Sequence, residues 1–595
     1  MILAASTAAA FGQSIIYVDA DASGRQNGRS WADAYVDVQD ALRGAAPGDE
    51  IWVAEGSYFP GEAGEWESTF QMKSGVGLYG GFTGVEERRD QRDPYAHETI
   101  LSGDIDHNDT YGQGTWDGPG WNGNADNVFH VVTTDGVDET AVIDGFTILG
   151  GATNYGQHVV PWGDYGSGVF NNGGSPTFID CTIKRNIASF GAGVYSLGGA
   201  PTFIRCTIKE NRVHLYEGAG VIAVEDCRLT LTDCLFTQNR LKGGNNQGAG
   251  AGVSIRMGCS ADITGCSFID NTADNFFPSG DYAGTYGGAL YHFGDALTVR
   301  NCVFRQNRSN AGGAIWTWKD ATIVNCLFVD NRAPEYQARQ GGWGGVGGAI
   351  ATSAFTPNRV RIINSTIVNN TAEAGAGLRV LNSAEAFVHN CIFWGNRDRN
   401  GFVGPSQIKG AGATYSCIQN MLVGEPGEDP PDRKKFPHCF DDDPRFVSYG
   451  GLDLHLTAGS PCIDAADNDE LPNGVDTDLD GERRYVDDPA TPDTGHGAAP
   501  IVDIGAYEFQ AGGGQSCTGG ETLKVTCKTG RKNVATGKLG GGLPGAAVTF
   551  RLDGDPDTDV VKTVKNSGKA TAKFKNVAPG AHSIEVLECG VSDGC

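Results

Sequence analysis

The central part of the chain repeats one pattern of small, apolar and polar positions. A small residue, usually Cys, is followed two positions later by Ile or Phe and five positions later by Asn. A Gly/Ala-rich segment and then an aliphatic residue follow most copies. The eight copies are Cys181-Ile183-Asn186, Cys206-Ile208-Asn211, Cys234-Phe236-Asn239, Cys266-Phe268-Asn271, Cys302-Phe304-Asn307, Cys326-Phe328-Asn331, Ser365-Ile367-Asn370 and Cys391-Phe393-Asn396. Internal self-similarity of this kind indicates a stack of equivalent structural units.

Each unit is too short to hold a packed pair of helices. Successive copies are 25, 28, 32, 36, 24, 39 and 26 residues apart, and the shortest interval leaves room for two or three short strands with their turns. Runs such as Ala321–Phe328 alternate and are rich in β-branched residues, as strands are. Strands of one coil pair with the same strands of the next coil, about 4.8 Å away. The pattern therefore predicts an all-β, parallel β-helix.

The repeated residue types have definite roles in such a stack. Cys acts as a small buried hydrophobe, and we predict that eight Cys residues at these positions, including Cys417, are free thiols. Asn tolerates the left-handed backbone of a tight turn, and its amide can bond the amide of the next coil. Cys227 and Cys259 lie one coil apart, and they either form a disulfide or merely stack.

The region before the repeats predicts an export signal and a cap. Residues 1–14 resemble the apolar part of a signal peptide, although no basic residues precede it. Residues 15–439 are assigned to the β-helix with its N-terminal cap. A short helix with Ser30 as its N-cap and Gly44 at its end is predicted to cover the exposed core.

The region after the repeats divides into three segments. Residues 440–510 form a distinct ending, residues 511–515 a Gly-rich linker, and residues 516–595 alternate as in a small β-sandwich. The sandwich contains four Cys, which predict two disulfides in one of three pairings and an oxidising, extracytoplasmic location. These are Cys517, Cys527, Cys589 and Cys595.

Charge narrows the classes of partner. The formal net charge of −27 over 595 residues argues against nucleic acid and anionic membrane surfaces, and it weakens any case for a polyanionic substrate unless a cation bridges. The charge is uneven, because residues 517–595 carry 11 Lys and Arg against 8 Asp and Glu, which leaves −30 on the remainder. After the first residues, no stretch is long and apolar enough to predict a membrane span.

Several motifs resemble those of known bacterial surface proteins. The Phe-x-x-Asn and Gly-Gly-Ala repeats resemble those of the polymorphic outer-membrane protein family. Val76–Gly84 and Asn127–Val132 resemble N-terminal coils of large right-handed β-helix surface proteins. Gly459–Asp464, Asp478–Arg483 and Val502–Glu508 are similar to the choice-of-anchor Q domain. The resemblance implies a right-handed, pectin-lyase-like β-helix that is extracellular or attached to a bacterial cell surface, and it implies no reaction.

An acidic loop in the ending is a candidate calcium site. Asp476, Asp478 and Asp480 alternate before Gly481, and Asp487 lies eleven residues after Asp476. Carboxylates at alternate positions, a turn glycine and a closing carboxylate are what an oxygen-ligand Ca²⁺ loop requires. The alternative is an acidic surface turn.

An aromatic patch is a candidate ligand-binding surface. Alignment of the coils on their Gly-rich motifs places Tyr291, Phe293, Trp316 and Trp318 outward on two neighbouring coils. A flat aromatic patch can stack on sugars. The alternative is that the inserted loops 272–286 and 332–346 cover the patch as a satellite core.

The sequence favours binding, adhesion or display over catalysis. Lyases need a base beside a charge neutraliser, and hydrolases need two or three neighbouring carboxylates. No coil-to-coil column of that kind is evident. We therefore predict a secreted or cell-surface protein whose partners are polysaccharides or cell-envelope components. The alternative is a polysaccharide lyase or glycoside hydrolase with a groove flanked by insertions at 104–127, 272–286 and 332–346. Two or more carboxylates bonded to Arg or Lys beside exposed aromatics would favour the enzyme.

Overall fold

A computed structural model describes most of the chain. The described residues are 14–111, 121–122, 126–153, 164–242, 248–274, 284–334, 344–354, 358–510, 522–528, 533–541, 547–553, 555–565, 568–575, 577–578, 582–586 and 591–595. They belong to two compact units. The first unit comprises Met1–Asp442, Glu470–Glu482 and Ile504–Ala506, and the second comprises Asp443–Asp469, Arg483–Asp503 and Tyr507–Cys595. The predicted signal segment, residues 1–14, lies outside the described residues except for its last residue.

The first unit is a right-handed parallel β-helix with three long sheets, as predicted. Sheet A contains Ile15–Val18, Glu50–Ala54, Gly77–Phe82, Val142–Asp144, Thr177–Ile179, Thr202–Ile204, Arg228–Thr232, Ser260–Thr264, Ala296–Arg300, Ala321–Val324, Arg359–Ile363, Glu385–His389 and Gly412–Thr414. Sheet B contains Gly56–Tyr58, Thr99–Ser102, Phe146–Leu149, Thr182–Lys184, Thr207–Lys209, Leu235–Thr237, Ser267–Ile269, Val303–Arg305, Leu327–Val329, Thr366–Val368, Ile392–Trp394 and Cys417–Ile418. Sheet C contains Phe70–Gln71, Val132–Thr133, Val169–Asn172, Val194–Leu197, Val221–Val224, Val253–Ile255, Leu290–His292, Ile315–Thr317, Ile350–Ala354, Leu378–Asn382 and Ile408–Lys409.

Short elements complete this unit. A minor sheet D follows sheet B in the coils and contains Ile187–Phe190, Arg212–Glu217, Arg240–Lys242 and Thr272–Asp274. In later coils the same position is occupied by the paired strands Arg332–Ala333 and Thr371–Ala372. A hairpin joins Thr110–Tyr111 to Trp121–Asn122. The helices described in this unit include the 3-10 turns Trp31–Asp33, Arg89–Gln91 and Arg433–Lys435 and the α-helices Val38–Gly44 and Gly404–Gln407.

The N-terminal cap differs from the single predicted helix. Ser30 does accept a hydrogen bond from Asp33, but it caps a 3-10 turn that ends at Asp33. The α-helix Val38–Gly44 has its own N-cap, Asp37, whose carboxylate accepts from the Gln39 N–H at 2.7 Å. Two cap residues seven positions apart therefore divide the segment, because each one starts its own short helix.

The asparagine ladder is continuous through eight coils and stabilises the strand register. Each side-chain amide from Asn186 to Asn370 donates to the next Asn Oδ1 at 2.9 to 3.1 Å. Asn396 ends the ladder by donating to Gln407 Oε1 at 2.8 Å. The left-handed backbone conformation that was predicted for each ladder Asn lies one residue earlier. The left-handed conformation belongs to the residue before Asn, as in Gln306 at φ 57°, because the Asn side chain is turned inward.

Aromatic rings and thiols stack inside the coil. Phe236, Phe268, Phe304 and Phe328 form successive stacked pairs with centroids 4.7 to 4.9 Å apart. The eight predicted Cys residues are buried free thiols, and so are Cys227 and Cys259, which stack without a bond. The thiol prediction is therefore confirmed.

The second unit contains most of the ending and the sandwich. The ending holds the hairpin Phe446–Ser448 with Asp453–Leu456, and the 3-10 turn Asn468–Glu470 begins within it. The sandwich has one sheet of Thr522–Lys528, Val534–Gly540 and Lys569–Lys575 and another of Asp555–Thr563, Ala547–Leu552, Ser583–Val586 and Val591–Gly594. Both sheets contribute to one hydrophobic core. Cys527 and Cys595 form a disulfide, whereas Cys517 and Cys589 lie outside the described residues.

Candidate functional site

A column of arginines follows the asparagine ladder on the outside of the coil. From Asn211 onward, the residue after each ladder Asn is bridged to its equivalent in the next coil. In order these residues are Arg212, Arg240, Thr272, Arg308, Arg332, Thr371 and Arg397, and we call them the arginine column. The N–H of each residue donates to the carbonyl of the ladder Asn one coil before, as Arg332 does to Asn307 at 2.9 Å. Since the Asn side chain points inward, the next side chain points outward.

The middle of the column borders a surface groove of about 390 Å³. Three arginines and one carboxylate line the groove together with uncharged polar groups, and the residues are Arg240, Asp270, Thr272, Gln306, Arg308 and Arg332. Arg240 is paired with Asp270 through two hydrogen bonds of 2.8 and 3.3 Å. The groove therefore carries more positive than negative charge in a chain whose net charge is −27.

The arginines of the column influence one another. Burial, followed by the positive charge of Arg240, lowers the pKa of Arg212 to about 10. Like charges at paired positions in a sheet destabilise it. An anion placed between such guanidinium groups would relieve this repulsion and accept bidentate hydrogen bonds.

Sequence reasoning missed this column, although the signal was present in the repeat. Asn211-Arg212, Asn239-Arg240, Asn307-Arg308, Asn331-Arg332 and Asn396-Arg397 are one dipeptide in five coils. The net charge of −27 weakened the case for a polyanionic substrate. Net charge is a sum over the chain, however, and does not show where the basic residues lie. Register gathers these arginines in one line, where Asp270 is paired with Arg240.

The predicted aromatic patch is only partly on the surface. Tyr291 and Trp316 are neighbours in register, as expected, but they are 8% and 0% exposed. The Trp316 ring packs 4.8 Å from Tyr286 and 5.3 Å from Trp318, within a satellite hydrophobic cluster. Tyr291 and Trp316 therefore belong to a satellite core, the stated alternative, rather than to an exposed patch.

The other two aromatic residues remain accessible. Phe293 and Trp318 are half-buried, and their ring centroids lie 6.4 Å apart. Lys319 Nζ lies 5.9 Å from the Phe293 centroid. Sugar binding by Phe293 and Trp318 stays a prediction. Residues 275–283 and 335–343 of the neighbouring inserted loops lie outside the described residues.

A polar cluster adjoins the aromatic residues on the same outer face. Ser254 is in register with Tyr291, and its hydroxyl donates to Glu217 at 2.9 Å. Arg256 also donates to the Glu217 carboxylate. Burial raises the pKa of Glu217 above its usual range, while Arg256 opposes the shift. Among the described residues one carboxylate is hydrogen-bonded to Arg256, rather than the two or more that would favour an enzyme.

The residues of the predicted calcium loop have different surroundings. Asp478 is buried, and its Oδ1 accepts the N–H groups of Asp480 at 3.0 Å and Glu482 at 2.9 Å. This carboxylate therefore stabilises its own turn, whereas Asp476 and Asp480 are exposed. In the second unit, the Asp487 carboxylate lies within 4.8 Å of those of Asp464 and Asp493. Calcium binding by Asp476, Asp478, Asp480 and Asp487 stays a prediction.

Comparisons with known proteins find one family model for part of the chain and two distant solved structures. The family model described as "Right handed beta helix region" matches residues 134–328. Pectate lyase Pel9A is 12% identical, with a TM-score of 0.40, over 84% of this chain and 97% of the lyase. The tailspike protein gp49 of Acinetobacter baumannii bacteriophage Fri1, a capsular polysaccharide depolymerase, is 12% identical with a TM-score of 0.22, over 91% of this chain and 78% of the tailspike. No curated protein sequence matches the chain. We therefore derive function from the surface residues.

Proposed function

We propose that this is a carbohydrate-binding β-helix protein that takes an acidic polysaccharide along the arginine column. The observation that carries the proposal is the coil-to-coil register of arginines beside the groove lined by Arg240, Arg308 and Arg332. Six steps of about 4.8 Å make the column roughly 29 Å long. A linear polymer with repeated carboxylate or sulfate groups fits a line of guanidinium groups that Thr272 and Thr371 interrupt.

The location we propose is extracellular or at the cell surface, as an adhesive or display protein. Among the described residues no helix combines the length and apolar character that a bilayer crossing requires. The sandwich offers an attachment surface, because Lys569, Lys573 and Lys575 are exposed on one strand while Ala570, Ala572 and Phe574 face the core. Replacing these three lysines by Gln should reduce sedimentation of the chain with anionic cell envelopes at low salt. Unchanged sedimentation would contradict an attachment role, and the lysines would then be an ordinary solvated strand face.

Affinity electrophoresis tests the proposed ligand class. The full chain is run in native gels that contain alginate, hyaluronate or neutral dextran, at low and at high salt. We expect retardation by the acidic polymers alone and weaker retardation at high salt. The Arg308→Gln/Arg332→Gln variant should lose the retardation, whereas Arg228→Gln/Arg359→Gln, which changes two exposed arginines of sheet A, should keep it. Equal retardation by dextran, or no effect of the column variant, would refute the proposal.

A second candidate function is a polysaccharide lyase or glycoside hydrolase. The observation that favours it is Glu217, a buried carboxylate with a raised pKa beside Arg256 and Ser254. A carboxyl group in such surroundings can act as a general acid or base. The test is to assay the release of reducing ends or unsaturated products from the polymers that bind. Activity that Glu217→Gln abolishes without loss of binding would establish the enzyme, and absence of product would leave the binding function.

A further inference from the structure

Three carboxylates of the second unit converge from different parts of the ending. Asp464, Asp487 and Asp493 each offer an oxygen, and the three oxygens lie within 4.8 Å of one another. Backbone hydrogen bonds bring the segments together. The Asp464 carbonyl accepts the N–H groups of Thr494 at 2.9 Å and Gly495 at 3.1 Å. The Asp488 N–H donates to Asp464 Oδ2 at 3.2 Å.

One oxygen of this cluster is buried without a hydrogen-bond donor. Asp464 is fully buried, and its Oδ1 has no partner among the described residues. The strongest charges acting on Asp464 are those of Asp487, Asp493 and Asp488, which are all acidic. A buried carboxylate oxygen that lacks a donor and faces like charges is unfavourable unless the carboxyl group is protonated or a cation completes the site.

A neighbouring cluster in the same unit shows how such a group is otherwise neutralised. Asp467 and Asp469 lie 3.0 and 3.5 Å from Nδ1 of His496, and the hydrogen bond to Asp467 raises the pKa of His496. A protonated His496 would supply positive charge there, and its raised pKa favours that form. The cluster of Asp464, Asp487 and Asp493 consists of three carboxylates, and it includes no histidine among the described residues.

We propose that Asp464, Asp487 and Asp493 bind a divalent cation of the calcium type. The donors are all hard oxygens, which Ca²⁺ prefers and which do not select a softer metal. Asp487 and Asp493 are exposed, so water can fill the remaining coordination positions. The cation would join segments around residues 464, 487 and 493 and would stabilise the ending. This inference is independent of the proposed function.

Calorimetric titration of the full chain with CaCl₂ after dialysis against chelator tests the site, together with thermal unfolding. We expect a Kd on the order of 10⁻⁴ to 10⁻³ M, the range of extracellular calcium modules, and a higher Tm with calcium. Asp493→Asn, at an exposed position, should weaken binding by about tenfold or more without unfolding the chain. Asp464→Asn is less suitable alone because that residue is buried.

Two matched variants make the assignment specific. Asp469→Asn, in the histidine-neutralised cluster, and Asp480→Asn, in the acidic loop, should bind calcium as the unmodified chain does. A calcium response that survives Asp493→Asn, or its loss in Asp480→Asn alone, would overturn the site and favour the loop of Asp476, Asp478 and Asp480. No heat and no change of Tm in the unmodified chain would also overturn it.

Discussion

Arg308 and Arg332 are direct partners in neighbouring coils of the β-helix. A parallel backbone bridge joins them, and each donates its N–H to the carbonyl of a ladder Asn at 2.9 Å. Their side chains therefore leave the backbone one strand spacing apart. The ladder that stabilises the fold thus also sets the spacing of the surface charges, which links the stability of the stack to the binding that we propose.

The asparagine ladder should be essential for stability. Asn307 donates to the Phe268 carbonyl at 2.8 Å and to Asn331 at 3.0 Å, and it accepts from Asn271 at 3.0 Å. Asn307→Ala would leave these buried groups unpaired, so we expect a loss on the order of 3 kcal/mol in the free energy of unfolding. Denaturant unfolding measures it. The exposed Asn172→Ala is the control, and equal stability of the two variants would contradict the ladder's role.

The buried Cys thiols of the repeated coils should react with thiol reagents only when the chain unfolds. Cys302 is fully buried, and burial raises the pKa of its thiol well above the usual range, so thiolate is scarce. We also expect Cys326→Ser to be tolerated with a loss of about 1 kcal/mol or less, because Ser365 occupies the equivalent position and donates to the Ile363 carbonyl at 3.0 Å. Thiol titration with and without denaturant is the measurement. Rapid modification of Cys302 in the native chain would contradict its burial.

His292 should make the β-helix sensitive to acid. The imidazole lies inside the coil, where Nδ1 is 2.9 Å from the Thr317 hydroxyl, and burial lowers its pKa to about 3. Below pH 6.5 the His292 imidazole is protonated in the unfolded chain, whereas in the folded chain it stays neutral until about pH 3. Stability should therefore fall by about 1.4 kcal/mol per pH unit across that window.

This acid sensitivity is tested by measuring the free energy of unfolding in denaturant at several pH values, for the unmodified chain and for the His292→Gln variant. The variant should lose less stability between neutral and acidic pH than the unmodified chain. Parallel pH dependences of the two proteins would show that His292 does not titrate as its burial requires.

The sequence predicted the stack because each coil repeats its own pattern. The Cys and Asn positions specify the inner column, and the structure confirms both the thiols and the amide ladder. The cap was divided differently because Asp37 competes with Ser30 as an N-cap. Strand alternation placed Trp316 on the outer side of the sheet but could not decide between an open patch and the alternative, a satellite core, in which Trp316 lies. Asp464 was missed as a candidate ligand because it joins Asp487 through tertiary contacts rather than spacing in the chain.

The most direct test of the account is the affinity of one acidic polysaccharide for the column variant and for its matched control. The Kd for alginate is measured by calorimetry at two salt concentrations for the full chain, Arg308→Gln/Arg332→Gln and Arg228→Gln/Arg359→Gln, after equal Tm values have been verified. We predict that the column variant binds at least about tenfold more weakly, equal to about 1.4 kcal/mol, and depends less on salt, while the control is unchanged. Equal affinities of the column variant and the control would contradict the central claim.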